Sequence, residues 1–457
     1  MIISPLTLLG AAATLALICL VGVLAGKKVS GGKDFTTGSN MGVSMIAGSL
    51  VGTLVGGAST IGTAQLAFTY GFSAWWFSLG GGIGLLVMAA FFAKPLYHSG
   101  HSTIPQILTA EYGKTTATTA AILMSVGTFI SILSQLLSGV ALISTVYPLP
   151  TAAAIFAVVA LMLVYVIFGG AWGAGMVGIV KTVLLYVATI VCGVVSLQLA
   201  GGLGSFTSQL PQEQYFNLFA RGYLKDGGAG ASLLFGVLTT QSYILPIVSA
   251  KNLKISRGGA ALGGVLTVAI GLAGIFVGMY MKLYMPDTDP AAALPTFVLQ
   301  CLPDFIGGVI LAALLVALVG TGAGLALGIS AMLCNDIYKP FIRPDANEKQ
   351  CLRFSRLSIV AVFAAAAVLC MGEVGSLILG WSFLSMGLRG AVAFAPLCFA
   401  LFLPGRLRKR YALAAVITGP LLVLIGFFLL PAQIDPLFPG MAGSLLICLL
   451  GCSKTTK

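Results

Sequence analysis

Apolar runs near twenty residues long recur from one end of this 457-residue chain to the other. A helix of about twenty such residues crosses the roughly 30 Å hydrocarbon core of a bilayer. That repetition leaves few options besides a bundle of membrane-crossing helices. About thirteen runs can be marked, near 6–26, 42–68, 73–97, 117–147, 151–169, 175–200, 231–250, 259–284, 302–333, 355–371, 374–403, 411–430 and 437–452. Composition agrees: charged residues are 8% and mean hydropathy is +1.05, where a soluble domain carries about 25% charge. The chain reads as an all-α membrane protein with a single transmembrane domain, 1–457, and no separate soluble domain.

A formal net charge of +12 raises the question of a polyanionic partner, and the placement of the charges answers it. The first run has no basic residue before it, while Lys27 and Lys28 follow it, the order of a retained helix with its N-terminus outside. With that orientation, nineteen of the 24 Lys and Arg residues fall in inner loops, and only Arg221, Lys225 and Lys282 in outer ones. This is the positive-inside asymmetry. It predicts an inner or plasma membrane protein with its C-terminus inside, whose partner so far is the lipid bilayer. Nucleic acid is excluded, and nothing calls for an obligate protein partner. Nine cysteines are scattered without CxxC spacing, and His98 and His101 stand in an inner loop with no carboxylate nearby. No metal cluster, nucleophile or acid–base pair is expected at one depth, which excludes an enzyme.

Gly48 to Gly71, GSLVGTLVGGASTIGTAQLAFTYG, is apolar yet interrupted by Gly48, Gly52, Gly56, Gly57 and Gly62. Unwound backbone is not tolerated against lipid; it is tolerated where freed carbonyls face a cavity, an ion or a solute. A second interrupted segment, LLFGVLTTQSYILPIVSAKN, carries Thr239, Thr240, Gln241 and Ser242 with Pro246 beyond. Each opens a set of five spans, 42–200 and 231–403, flanked by one extra helix (6–26) and two more (411–452). Five helices between corresponding openings invert the second set relative to the first. The expectation is a 5+5 inverted-repeat core with broken first and sixth core helices. The long connection Gly201–Gly230 is expected to place a short surface helix over the entrance.

Four motifs resemble the sodium:solute symporter family: GGASTIGTAQLAFTYG, FGGAWGAG, SYILPIVSAKN and ALVGTGAGLALGISAMLCNDIYKPFIRP. The likeness extends over nearly the whole chain. It implies the ten-helix LeuT-type fold and secondary active, cation-coupled symport by alternating access. Sodium would be the coupling ion and the solute a small polar organic molecule; two cations inside spans without acids beside them, Lys181 and Arg389, lean toward an anionic one. Matched position by position, it implies a sodium site made by the carbonyls of Gly52, Val55 and Ala317, with Gly320 and the Thr321 hydroxyl. This chain departs from the pattern twice. Gly320 stands where the family has a hydroxyl, and Gly178 and Lys181 stand where it often has Asp and Gln.

Two cations, Lys181 and Arg389, lie well inside spans, where charge is costly and by default functional. Lys181 either snorkels to the inner interface or replaces the missing sodium, which would make the protein a proton-coupled or cation-independent carrier. Arg389 either binds a solute carboxylate or packs against backbone carbonyls. Gln241 and Gln65, on the two broken helices, either contact solute or bond unwound backbone. Trp75 and Trp76 suit an interfacial belt or an outer gate. A channel or sensor is the remaining class, since Gly-rich broken helices also line pores.

Overall fold

A computed structural model describes residues 4–26, 41–101, 103–373 and 375–452 of the chain, and the backbone alone for 19, 21–26, 167–180, 335–336 and 340–341. The loop cations Lys27, Lys28 and Lys33 and the tail cations Lys454 and Lys457 lie outside the described residues. FGGAWGAG and Gly178 lie where only backbone is described.

The described chain is helical, with no strands beyond two isolated bridges. After α1 (Pro5–Gly26) come α2 (Val43–Leu54) and α3 (Thr63–Tyr70), joined by a one-turn π-helix at Ala58–Gly62. Gly71, at φ +51°, then turns the chain into α4 (Trp76–Val87). A residue with a Cβ is disfavoured at that φ, and a Cβ there would also stand 2.1 Å from the Tyr215 carbonyl. Next are α5 (Ile104–Tyr112), α6 (Lys114–Val146), α7 (Thr151–Leu199), α8 (Tyr223–Thr239), α9 (Gln241–Val248) and α10 (Leu253–Tyr284). A short buried helix, α11 (Ala293–Cys301), precedes α12 (Asp304–Met332), α13 (Glu348–Glu373), α14 (Ile378–Phe402), α15 (Lys409–Leu429) and α16 (Leu437–Leu450).

Among the described residues, eight helices are long and apolar enough to cross a membrane, nine if α8 and α9 count as one bent span. Of the thirteen runs read from the sequence, 6–26 and 151–169 extend into residues described by backbone alone and so fall outside that measure. α2 has 12 residues and α16 has 14, about 18 and 21 Å at 1.5 Å per residue, too short to cross alone. The runs 151–169 and 175–200 fall in one continuous helical element, α7. Tyr165 and Lys181 would be about 24 Å apart along a straight helix. Yet both side chains come within 4 Å of where a Gly320 Cβ would stand, so the element is not straight.

Two half-helices are tied at one end of the bundle, where Met41 N–H donates to the Ser249 carbonyl and Lys251 N–H to the Met41 carbonyl. At the other end the Gly201–Gly230 connection forms short helices at Leu203–Gln209 and Gln212–Tyr215. The Tyr215 hydroxyl donates to the Phe68 carbonyl at 3.1 Å and Gln214 to the Thr69 carbonyl, which seats this cover on α3. The buried helix α11 was not legible as a span because it is nine residues long. The core runs through the whole bundle, with Leu50, Ile61, Leu136, Ala317 and Phe363 at most 1% exposed.

Candidate functional site

The first break follows α2. Val55 is extended (φ −88°, ψ 106°), and Gly56 N–H turns to the Ser59 hydroxyl at 2.8 Å instead of the Gly52 carbonyl. Gly52 is thus left off the helical ladder, as helix C-termini leave their last carbonyls. Ser59 and Thr60 return their hydroxyls to the Gly56 carbonyl, and Gly57 N–H donates to Gln135 Oε1 on α6 at 2.9 Å. The backbone can come this close because residue 57 has no side chain: a Cβ there would stand 2.7 Å from Ser138 Cβ and 2.9 Å from Leu318 Cβ.

Against this break stands α12. Thr321 Oγ1 lies 2.9 Å from where a Gly56 Cβ would be, and its hydroxyl donates to the Ala317 carbonyl at 2.9 Å. The Lys181 ammonium donates to that same hydroxyl oxygen at 2.8 Å, with the side chain 6% exposed. Gly320 completes the contact: the Lys181 Cδ passes 3.6 Å from its Cβ position. The structure therefore gathers Ala317, Gly320, Thr321 and Lys181 beside Gly56, with Val55 next in the chain and Gly52 one turn earlier. Lys181 reaches inward to this break, and its head group does not extend to a surface.

The second break has the same parts. α8 and α9 meet at 49° around Thr240, which is extended (φ −96°, ψ 127°). The Thr240 hydroxyl donates to the Gly236 carbonyl and accepts from Arg389 Nη1 at 3.0 Å. Arg389, 2% exposed on α14, donates through Nη2 to Ser131 on α6 and to Ser385, each at 3.0 Å, and through Nε to the Ser385 carbonyl. Ser131 bonds Ser385 at 2.7 Å and Ser382 bonds Ser134 at 2.9 Å. α6 and α14 are thus zipped by serine pairs down to the guanidinium. Each break is met by one buried cation held by a hydroxyl, Lys181 of α7 at the first and Arg389 of α14 at the second. Among the described residues neither cation forms an ion pair; the one pair present is Arg221–Asp226.

The two amides are turned toward backbone. Gln65 accepts from Ile378 N–H at 2.9 Å and donates to the Ser376 carbonyl at 3.1 Å, clamping α3 to the start of α14. Gln241 accepts from Ile104 N–H at 3.0 Å, at the first residue of α5. Trp75 and Trp76 donate their indole N–H groups to the Val268 and Leu218 carbonyls. His98 bonds the Lys94 carbonyl, and among the described residues no group of His, Cys, Asp and Glu is placed to hold a metal.

A cavity of about 270 Å³ opens above the serine pairs, lined by Leu137, Val140, Ser144, Asp289, Ser376 and Ile378. Sequence reading missed it, and also missed the serines that join α6 to α14. Their spacing on each helix was visible, but the facing of 131 with 385 was not.

Two broken helices packed on intact ones, in an all-helical apolar bundle, are the arrangement of the LeuT-like fold of membrane transporters. The chain belongs to the sodium:solute symporter family, whose model matches residues 35–419. It is 25% identical over 456 residues to the high-affinity proline transporter PutP of Bacillus subtilis (strain 168), covering 93% of each chain. It is 25% identical to the uncharacterized symporter YwcA of the same organism, covering 70% of this chain and 66% of that one. With the mouse sodium/myo-inositol cotransporter 2 it shares 24% identity over 72% of its own length, but spans only 55% of that protein. In fold it is similar to a substrate-bound, outward-open Na+-coupled sialic acid symporter, with a TM-score of 0.77 at 16% identity over 98% of this chain and 97% of that one. Mhp1, a nucleobase-cation-symport-1 family transporter, follows at TM-score 0.57, 12% identity, over 90% and 92%. The family and the relatives it matches are symporters and transporters, which supports cation-coupled symport as the activity class; the solved structures show the shared fold.

Proposed function

We propose that this protein carries a small polar organic solute across an inner or plasma membrane by alternating access, with its N-terminus outside and C-terminus inside, and that its coupling cation is a proton carried by Lys181. The observation that supports the coupling is the 2.8 Å bond from the Lys181 ammonium to Thr321, whose hydroxyl also meets the Ala317 carbonyl. These are the oxygens to which the family resemblance assigns sodium. An ammonium there supplies the charge a sodium ion would, and like charges at that distance repel a second cation. A lysine can release its proton where a guanidinium cannot, so the site can be filled in one half of a transport cycle and emptied in the other.

Sodium is the second reading, favoured by the family and by the Na+-coupled fold neighbour. In it, Gly52, Val55, Ala317 and Thr321 hold the ion after Lys181 swings aside, and Gly320 offers no oxygen. Purified protein in liposomes, given labelled proline, myo-inositol or sialic acid, separates the two. The expected result is saturable accumulation driven by acid outside and indifferent to sodium, with Lys181→Met keeping solute exchange but losing pH-driven accumulation. Accumulation driven by a sodium gradient and unaffected in Lys181→Met overturns proton coupling. Flux that never saturates overturns the carrier.

A further inference from the structure

We propose that Arg389 is the anchor for a carboxylate on the transported solute, and that the serine pairs between α6 and α14 are the closed path to it from the 270 Å³ cavity. This deepens the carrier reading and rests on it, but not on which cation drives transport.

The argument begins with charge. Lys181 and Arg389 are both buried without an acidic partner among the described residues. Lysine can meet that condition by shedding its proton; arginine remains charged in proteins. A buried guanidinium offered only neutral oxygens is hydrogen-bonded but not neutralised, and buried charge is costly unless paired. Arg389 has five N–H donors, and the acceptors it finds are the hydroxyls of Thr240, Ser131 and Ser385, the Ser385 carbonyl and the Met386 sulfur. None carries a charge. A planar fork of donors is the geometry that holds a carboxylate through two parallel bonds.

Position supplies the second half. Arg389 bonds Thr240, the residue at which α8 gives way to α9, as well as Ser131 of α6, so its guanidinium joins that break to the α6–α14 interface. The cavity lies along the same two helices. Its walls include Leu137, Val140 and Ser144 of α6, and Ser376 and Ile378 at the head of α14. Below it come Ser134 with Ser382 and then Ser131 with Ser385, both pairs buried and bonded to each other. If α14 parts from α6, four hydroxyls are released toward the gap, and a polar solute can take over the bonds that they now make among themselves. An acid entering from the cavity meets the guanidinium at the foot of that column.

The test is binding in detergent, which needs no gradient. Thermal shifts are measured for matched pairs: lactate with lactamide, gluconate with glucitol, and sialic acid with its methyl ester. At least one acid is expected to stabilise the protein while its neutral mate binds at least tenfold more weakly. Arg389→Gln is expected to erase the acid's advantage. Arg389→Lys, which keeps the charge but loses the fork, is expected to retain the preference at reduced affinity. Neutral members binding as tightly as their acids, or an acid preference intact in Arg389→Gln, overturns the assignment and leaves the carrier standing. If Arg389→Gln does not fold, the wild-type pairs and Arg389→Lys decide. A sodium-driven carrier passes this test unchanged, so its outcome is independent of the coupling ion.

Discussion

Replacing Lys181 with methionine should make the folded protein more stable, although it removes a hydrogen bond. The bond lost is the 2.8 Å contact to Thr321, and hydrogen bonds to charged groups contribute about 1.5–3 kcal/mol. Thr321 is not stranded, because its hydroxyl still donates to the Ala317 carbonyl at 2.9 Å. Against this loss stands the burial of an ammonium with no acidic partner among the described residues, which costs several kcal/mol. Methionine follows the lysine stem and keeps its packing beside Gly320. The difference is a net gain of about 1–3 kcal/mol, in line with the effect of exchanging buried charges for apolar groups. With about 2.1 cal/mol/K of unfolding entropy per residue, a chain this long gains about one degree per kcal/mol, so the midpoint should rise by about 1–3 °C. Thr321→Val should do the opposite, falling by a similar amount, because it leaves the ammonium in place and takes away its acceptor. In the double variant the Thr321→Val loss should largely vanish. Thermal unfolding in one detergent at neutral pH measures all four proteins. If Lys181→Met lowers the midpoint as far as Thr321→Val and the two losses add, the lysine is an ordinary packing element and the reasoning fails.

Two further outcomes follow from the geometry. Gly57→Ala places a Cβ 2.7 Å from Ser138 Cβ and 2.9 Å from Leu318 Cβ, and overpacking of this kind costs about 1–3 kcal/mol; thermal unfolding should show the loss, whereas an unchanged midpoint would mean the break can open away from α6 and α12. Asp435 lies on the connection between α15 and α16, where burial raises its carboxyl above the ordinary 3.8 against the smaller lowering effects of the Leu437 N–H, Lys225 and Arg221. The native state therefore holds a proton the unfolded chain has released, and stability falls as pH climbs from 3.8 toward the raised value. Asp435→Asn keeps the oxygen that accepts from Leu437 N–H, so it should raise the midpoint at pH 7 and lose that advantage near pH 4; a gain equal at both pH values would rule the titration out.

Much of this protein is present in local sequence. Apolar runs announce a membrane bundle because hydrocarbon requires each segment to satisfy its own backbone. The two interruptions were legible for the same reason: glycines at 56 and 57, and hydroxyls at 239 and 240, are residues that an uninterrupted lipid-facing helix has no use for. Lys181 and Arg389 were visible as charges at the wrong depth. What they touch was not. Thr321 is 140 positions from Lys181, Thr240 is 149 from Arg389, and Ser131 is 258 from it. No periodicity encodes such a meeting, since it depends on how α6, α12 and α14 are rotated and how closely glycine lets them approach. Gln65 and Gln241 make the same point from the other side: as sequence they were equally suited to a solute or to backbone, and the packing of α3 on α14 and of α9 on α5 turned both toward backbone amides. Sequence therefore determined the kind of protein and where its helices break, which are matters of what each segment can tolerate alone. Tertiary structure decided which oxygen each buried cation holds, because that is a property of neighbours brought together by packing.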